Sequence, residues 1–326
     1  MTNYFFIYTS FHAEFCRRII DLHFKGAHNV AVNHFRRPFE AVAGDSVSEI
    51  RNLGIGFWER MRGIRAVRSQ LVKAAASGDQ LNIFIPHKLG ILSNFAYHVL
   101  SKKYRSVRIN LFYEGVIVFY SYDHNYSENL KYYATRLLSG FLIGIRYRID
   151  KRLLDLNDKR IDKIYSPFTD LETDPDKIVY TPLKRISYNT EKGTAIILGL
   201  VLARKQQDDL RRIVNGIFEE VQSLGVTKIY YKEHPLDYSP LFHEVAKERG
   251  VELTMIRETQ PVESIVHLYR PAHILSSWSS GILNLKCLLP DETSLYCFVT
   301  EEITKTTETK KLVSVFSRYG VLVKYV

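Results

Sequence analysis

Two short stretches in the second half of the chain carry residue types suited to handling an anion. Residues Tyr230–Pro235 read YYKEHP and Ser276–Gly281 read SSWSSG. Each stands where a run of strand-forming residues stops and a turn or helix begins. In open α/β sheets, strand carboxyl ends and helix N-termini converge on one crevice, with unpaired N–H groups pointing into it. His234, held on a rigid turn by Pro235, can donate to a phosphate oxygen or act as a general acid. Ser276, Ser277, Ser279 and Ser280, followed by Gly281, offer hydroxyls and helix N-terminal amides that suit a phosphate; the same pattern also serves simply to cap the next helix. A third residue, Glu114 of Tyr113-Glu114-Gly115, ends another strand pattern, where Gly115 lets the chain turn and leave the carboxylate exposed. In a two-domain arrangement Glu114 would face His234 across a cleft, a base and an acid on opposite sides of a substrate.

Several common chemistries lose their usual support. The sequence holds no Walker A motif, no G-x-G-x-x-G fingerprint, no H-E-x-x-H and no G-x-S-x-G elbow, which speaks against NTPase, dehydrogenase, zincin and serine-hydrolase readings. Its D-x-D, Asp174-Pro175-Asp176, falls in a Pro-containing stretch rather than after a buried strand, and reads as turn chemistry. A metal-free mechanism is the expectation.

The elements that position these residues alternate between strand and helix. Tyr4–Tyr8 is a short buried-strand pattern, and Thr9 or Ser10 caps a helix carrying Phe15, Ile19, Ile20 and Leu22. Residues 28–35 read as a second strand, and 46–70 as one or two arginine-rich helices. Residues 81–88 form a buried strand that places His87 at its end, and a helix follows over 90–100. Residues 108–120 give the strand that carries Glu114. After an irregular stretch with a helix over 130–142, Arg146, Arg148, Lys151, Arg152, Lys159, Arg160 and Lys163 form a basic band suited to a membrane or an acidic acceptor, or to a solvated face. Residues 165–193 look like a hinge. A second alternation follows: strands at 194–200, 226–235, 251–256, 272–277 and 294–300, with helices at 206–224, 241–249, 261–269, 280–288 and 304–317. The resulting expectation is an α/β protein of two Rossmann-like domains facing each other across a cleft. The boundaries are 1–165, a linker 166–192, and 193–326, with the last helix free to pack back on the first domain.

Composition narrows the partners without choosing among them. The 326 residues are 46% hydrophobic, 25% charged and 13% aromatic, enough for two well-buried cores. Lys and Arg exceed Asp and Glu by 45 to 35, a net charge of +10, which draws the chain to phosphates, nucleotides, acidic glycans or an anionic membrane face. The odd count of three cysteines, Cys16, Cys287 and Cys297, and the lack of C-x-x-C argue against a disulfide framework or zinc site. With no signal-peptide pattern and no run of ~20 apolar residues, the expected location is cytoplasmic, either free or peripheral on the cytoplasmic face of the inner membrane.

The series Tyr-Glu-Gly, Lys-x-His-Pro, Pro-Val-Glu and a Ser-Ser pair before a helix resembles the bacterial sialyltransferases and polysialyltransferases of the GT-B fold. The resemblance spans most of the chain in order and spacing, through motifs of two or three residues each. It implies an acidic base that deprotonates the acceptor hydroxyl, here Glu114, because Tyr113 stands at the motif's first acidic position; Asp123 or His87 are the substitutes. It implies that His234 serves the departing CMP phosphate and that Ser279 and Ser280, with Ser276 and Ser277, bind it. Lys232 and Pro235 complete the His-Pro motif, Glu263 holds the ribose, and Gly199 lies near the nucleotide. The implied donor is a CMP-nonulosonate and the acceptor a surface glycan of capsule or lipooligosaccharide, with inversion, no metal, no cofactor and no nucleic acid. Other readings are a GT-B transferase using a different nucleotide sugar, or a non-catalytic protein binding nucleotides or polyanions.

Overall fold

A computed structural model describes residues 1–33, 47–51, 57–75, 79–86, 91–115, 119, 134, 137–144, 156–199, 207–234, 240–258, 260–277 and 279–326. The chain divides into two compact units, Met1–Leu183 and Lys184–Val326.

The first unit is built on one parallel sheet, in the order β3-β2-β1-β4-β5-β6-β7. Its strands are β1 (Thr2–Ile7), β2 (His28–Asn33), β3 (Val47–Arg51), β4 (Gln80–Ile85), β5 (Ser106–Phe112), β6 (Ile161–Ser166) and β7 (Ile178–Tyr180). Helices α1 (Ser10–His23), α2 (Phe57–Ala74) and α3 (Ile91–Leu100) provide crossovers, and a further helical segment covers 137–143. β1 is buried along its whole length, as a central strand covered on both faces must be. Phe5 stacks on Phe84 of β4 at 4.3 Å between ring centroids. Across β2, β1 and β4, Asn82 donates to Asn3 and Asn3 to Asn29, both at 2.9 Å. These buried amides sit opposite one another in the strand pairing, so slipping any strand by one residue would strand them unpaired.

The second unit repeats the plan. Its parallel sheet runs β10-β9-β8-β11-β12-β13, from β8 (Glu191–Leu198), β9 (Lys228–Lys232), β10 (Thr254–Met255), β11 (Pro271–Ser276), β12 (Ser294–Val299) and β13 (Leu322–Tyr325). Helices α4 (Gln207–Ser223), α5 (Leu241–Glu248), α6 (Val262–Tyr269), α7 (Ser280–Leu288) and α8 (Thr307–Arg318) connect them. The apolar stripe expected on α4, Leu210, Ile213, Val214, Ile217 and Val221, is buried in one cluster with Ile197, Tyr231, Leu275 and Phe298. In each sheet the strand order reverses beside the first strand of the unit, between β1 and β4 and between β8 and β11. That reversal opens a crevice at the carboxyl edge.

The structure corrects several expected elements. Residues 47–51, read as helix, form the edge strand β3 paired to β2; Glu and Arg favour helix locally, but the free edge of β2 supplies a backbone partner that outweighs propensity. The strand expected over 251–256 pairs only at Thr254 and Met255. Strands β6 and β13 went unseen, both at or near sheet margins. Residues 166–192 hold the end of β6, a 3-10 turn at Pro175–Lys177, β7 and the first residues of β8. The last helix, α8, packs on β13 within the second unit. Among the described residues no helix is long and apolar enough to cross a membrane.

Candidate functional site

In the second unit, every described candidate lies at the carboxyl edge of the sheet, around the reversal between β8 and β11. Gly199 follows β8, and its N–H donates to the Lys232 carbonyl at 2.8 Å, carrying the β8–β9 pairing one residue past the strand. A Cβ on Gly199 would meet the backbone nitrogen of His234 at 2.6 Å and Cα of Glu233 at 3.2 Å. Only the missing side chain lets the β9 turn fold over the end of β8. His234 is thereby held at the crevice by its main chain, with an exposed side chain.

Ser276 ends β11 and Ser277 follows it. Both are buried, and neither hydroxyl has a hydrogen-bond partner among the described residues. Buried hydroxyls are almost always paired, so two adjacent orphans mark a place where a ligand or water completes the structure. Two residues on, Ser279 takes the N-cap of α7, its Oγ accepting from the Gly281 N–H at 3.2 Å. The capping role foreseen for this cluster thus falls to Ser279, and Ser276 and Ser277 stay available. Ser280 opens α7 itself.

Glu263 stands in the first turn of α6. Its Oε1 accepts from Asn284 Nδ2 of α7 at 3.0 Å and lies about 4.0 Å from where a Gly281 Cβ would be. The carboxylate is thus pinned beside the N-terminus of α7, where the helix dipole favours negative charge. Asn284 was not foreseen; it is the fifth residue of α7 and carries no motif, although its spacing from Gly281 places it on the same face. Lys232 is half-buried, and its ammonium donates to the Glu258 carbonyl, while burial holds its pKa below the ordinary lysine value. Glu258 in turn accepts from the Tyr269 hydroxyl at 2.6 Å. Lys232 therefore ties down the turn after β10.

In the first unit, Glu114 lies just past β5, and Gly115 turns the chain with φ +96°, which a side chain would resist. Tyr113 points the other way. It is fully buried against Phe11, Phe15 and Phe168, so strand alternation delivers Glu114 to the opposite face. There it meets His12, a residue sequence reasoning passed over. His12 is 1% exposed in the first turn of α1. The Tyr8 N–H donates to its Nδ1 at 3.3 Å, and its Nε2 lies 3.4 Å from Glu114 Oε1. With Nδ1 accepting, the neutral ring carries its proton on Nε2, directed at the carboxylate. A histidine in the first helical turn after a central strand was the available signal.

Pro235, His87, Asp123 and the basic residues Arg146, Arg148, Lys151 and Arg152 lie outside the described residues. Of the rest of that band, Arg160 forks onto Asp158, and Lys163 donates to the Asp176 carbonyl at 2.6 Å. Asp174 caps the 3-10 turn through the Asp176 N–H, the turn chemistry expected of it. Among the described residues no group of three or more His, Cys, Asp or Glu is arranged to hold a metal ion.

Two Rossmann-like units with this strand order define a GT-B fold, and solved structures agree at the level of fold. A UDP-N-acetylglucosamine 2-epimerase from Listeria monocytogenes, itself described as putative, superposes with a TM-score of 0.53 at 12% identity, covering 96% of this chain and 81% of its own. The UDP-GlcNAc 2-epimerase of Neisseria meningitidis gives 0.51 at 12% identity, over 99% and 95%. That of Methanocaldococcus jannaschii gives 0.52 at 12%, over 100% and 89%. No curated protein sequence matches the chain. Residues 82–298, well over half of the chain, match the model of the family described as Alpha-2,8-polysialyltransferase (POLYST). The chain belongs to that family, and is a glycosyltransferase of the sialyltransferase type.

Proposed function

We propose that the chain is an inverting, metal-independent transferase that moves sialic acid or a related nonulosonate from its CMP derivative to a glycan of capsule or lipooligosaccharide. The observation that carries the donor half is the pair of buried hydroxyls of Ser276 and Ser277 at the strand reversal, without a partner among the described residues. A monoester phosphate supplies what they lack, and the amides opening α7 stand on the next residues.

In this reading the bond from the anomeric carbon to the phosphate oxygen breaks through an oxocarbenium-like state, and its electrons leave on CMP. Ser276, Ser277 and the α7 amides hold the growing charge, and His234 donates to it. Glu263, pinned by Asn284, accepts from a ribose hydroxyl. Glu114, oriented by His12, takes the proton of the acceptor hydroxyl as that oxygen bonds to the anomeric carbon. CMP leaves readily once its single phosphate finds donors, which is why the scheme needs no divalent ion. The net charge of +10 favours retention of an anionic donor and acceptor. Work on a capsule or lipooligosaccharide precursor places the enzyme on the cytoplasmic face of the inner membrane as a peripheral protein.

The test is CMP release from CMP-sialic, CMP-legionaminic and CMP-pseudaminic acids, with EDTA present, in wild type and His234→Ala. Release from one donor that persists in EDTA and falls sharply in the variant is expected. Full activity in His234→Ala removes its role, and release only from another nucleotide sugar replaces the donor.

A further inference from the structure

The helical segment 137–143 in the first unit is amphipathic in an unusual way. Ser139 and Ile143 are buried beneath it. On its outer side Leu137 is 77% exposed, Leu138 50% and Phe141 86%. Spacings of three and four residues bring these side chains to one face of a helix. Gly144, in the left-handed conformation with φ +72°, ends the segment just beyond them. Large apolar side chains cost free energy in water, and three together on one turn form a patch rather than the scatter normal for a protein surface.

The neighbouring element supplies charge. Arg65 of α2 donates through its guanidinium to the Leu142 carbonyl, joining the two helices. Trp58, Arg62, Arg65, Ser69 and Val72 recur along α2 at helical spacing and are all exposed, while Met61, Ile64, Val67 and Leu71 face the core. Arg68 and Lys73 are exposed on the same helix, whose first turn holds one acidic residue, Glu59. The face thus joins an apolar knob, an exposed tryptophan and a row of cations.

We propose that this face, Leu137, Leu138 and Phe141 with the outer stripe of α2, seats the protein on an anionic lipid bilayer. The apolar side chains enter the boundary between headgroups and acyl chains, Trp58 lies at headgroup depth, and Arg62, Arg65 and Arg68 meet lipid phosphates. A second copy of the chain is the less suitable occupant. A two-fold interface sets the same patch against itself, bringing arginine rows together, and a stable dimer buries about 800 Å² per partner, more than three side chains provide. The proposal gives the peripheral association above a definite surface, and its test reads binding without requiring transfer.

The experiment is co-flotation of the full chain with vesicles of equal parts phosphatidylglycerol and phosphatidylcholine, and with phosphatidylcholine alone. Wild type should float with the anionic vesicles and not the neutral ones. Leu137→Ser combined with Phe141→Ser should lower partitioning by about tenfold or more, with the melting midpoint and CMP release unchanged because both residues are on the surface. Arg62→Glu should weaken binding and flatten its dependence on salt. No binding by wild type, or equal binding by the double variant, overturns the proposal. So does a concentration-dependent dimer in sedimentation that the double variant abolishes. Loss of CMP release in wild type would bear on the donor reading alone.

Discussion

His12 and Glu114 approach to 3.4 Å from positions 102 residues apart, and the Tyr8 amide fixes which ring nitrogen carries the proton between them. A carboxylate that must take a proton in one direction works only if its rotamer is held, and this is what a buried imidazole supplies. Glu114→Gln should reduce transfer to acceptor by about a hundredfold or more, within the range of a lost general base. His12→Ala should lower kcat by about tenfold to a hundredfold and leave the donor KM unchanged. Near wild-type transfer in Glu114→Gln would place the base elsewhere.

Ser276 and Ser277 separate stability from function. Each hydroxyl is buried without a partner among the described residues, so its removal forfeits no hydrogen bond to them. Ser276→Ala and Ser277→Ala should leave the melting midpoint unchanged or slightly raised, while the donor KM rises about tenfold or more as a hydrogen bond to the charged phosphate is lost. A variant that melts lower and binds donor normally would show the hydroxyl to be structural.

Gly199 offers a steric test of the same crevice. A methyl group there would sit 2.6 Å from the His234 nitrogen, closer than real contacts allow, so the β9 turn must move. Gly199→Ala should cost about 1–3 kcal/mol of stability, the usual scale for overpacking, and depress CMP release together with it. Unchanged release in a normally folded variant would detach this turn from the chemistry.

Acid should destabilise the fold partly through two histidines. Partial desolvation is the main cause holding both His23, whose side chain keeps substantial solvent contact, and His273 below the ordinary histidine value, with Arg18 adding to it at His23. Each is therefore neutral in the folded state where the unfolded chain already binds a proton, and stability falls as pH drops below about 6.5, levelling off beneath the folded pKa. Urea midpoints measured against pH should show that decline, and His23→Gln should make it shallower. An unchanged slope in the variant would mean the ring is hydrated.

Where the sequence was informative, burial on both faces was the reason. Strands such as β1 and β4 are continuous apolar runs because a central parallel strand meets helices above and below, and α4 shows its stripe because one side meets the core. Val47–Arg51 and Leu322–Tyr325 escaped notice because edge strands owe their existence to a partner's free backbone, which no local pattern records. The same limit applies to the site. Ser276 and Ser277 were legible at the end of a strand pattern, and Glu263 and Gly199 through the family resemblance; the carboxyl edge gathers all four whatever their separation. His12 and Asn284 were not, because each matters through one contact, to Glu114 and to Glu263, that only the fold creates. Tyr113, which stands at the motif's first acidic position, packs against Phe11, Phe15 and Phe168 in the core.

The reversal of strand order has a kinetic side. β8 and β11 lie side by side, yet β9, β10 and three helices stand between them in the chain. Of the pairings in that sheet, this one closes the longest loop, and loop closure must be met before its contacts give anything back. Gly199 and Ser276, at the ends of those two strands, come together only through that pairing. The crevice therefore depends on the contact of greatest sequence separation in the sheet, and no hairpin or single strand-helix-strand unit can build it alone.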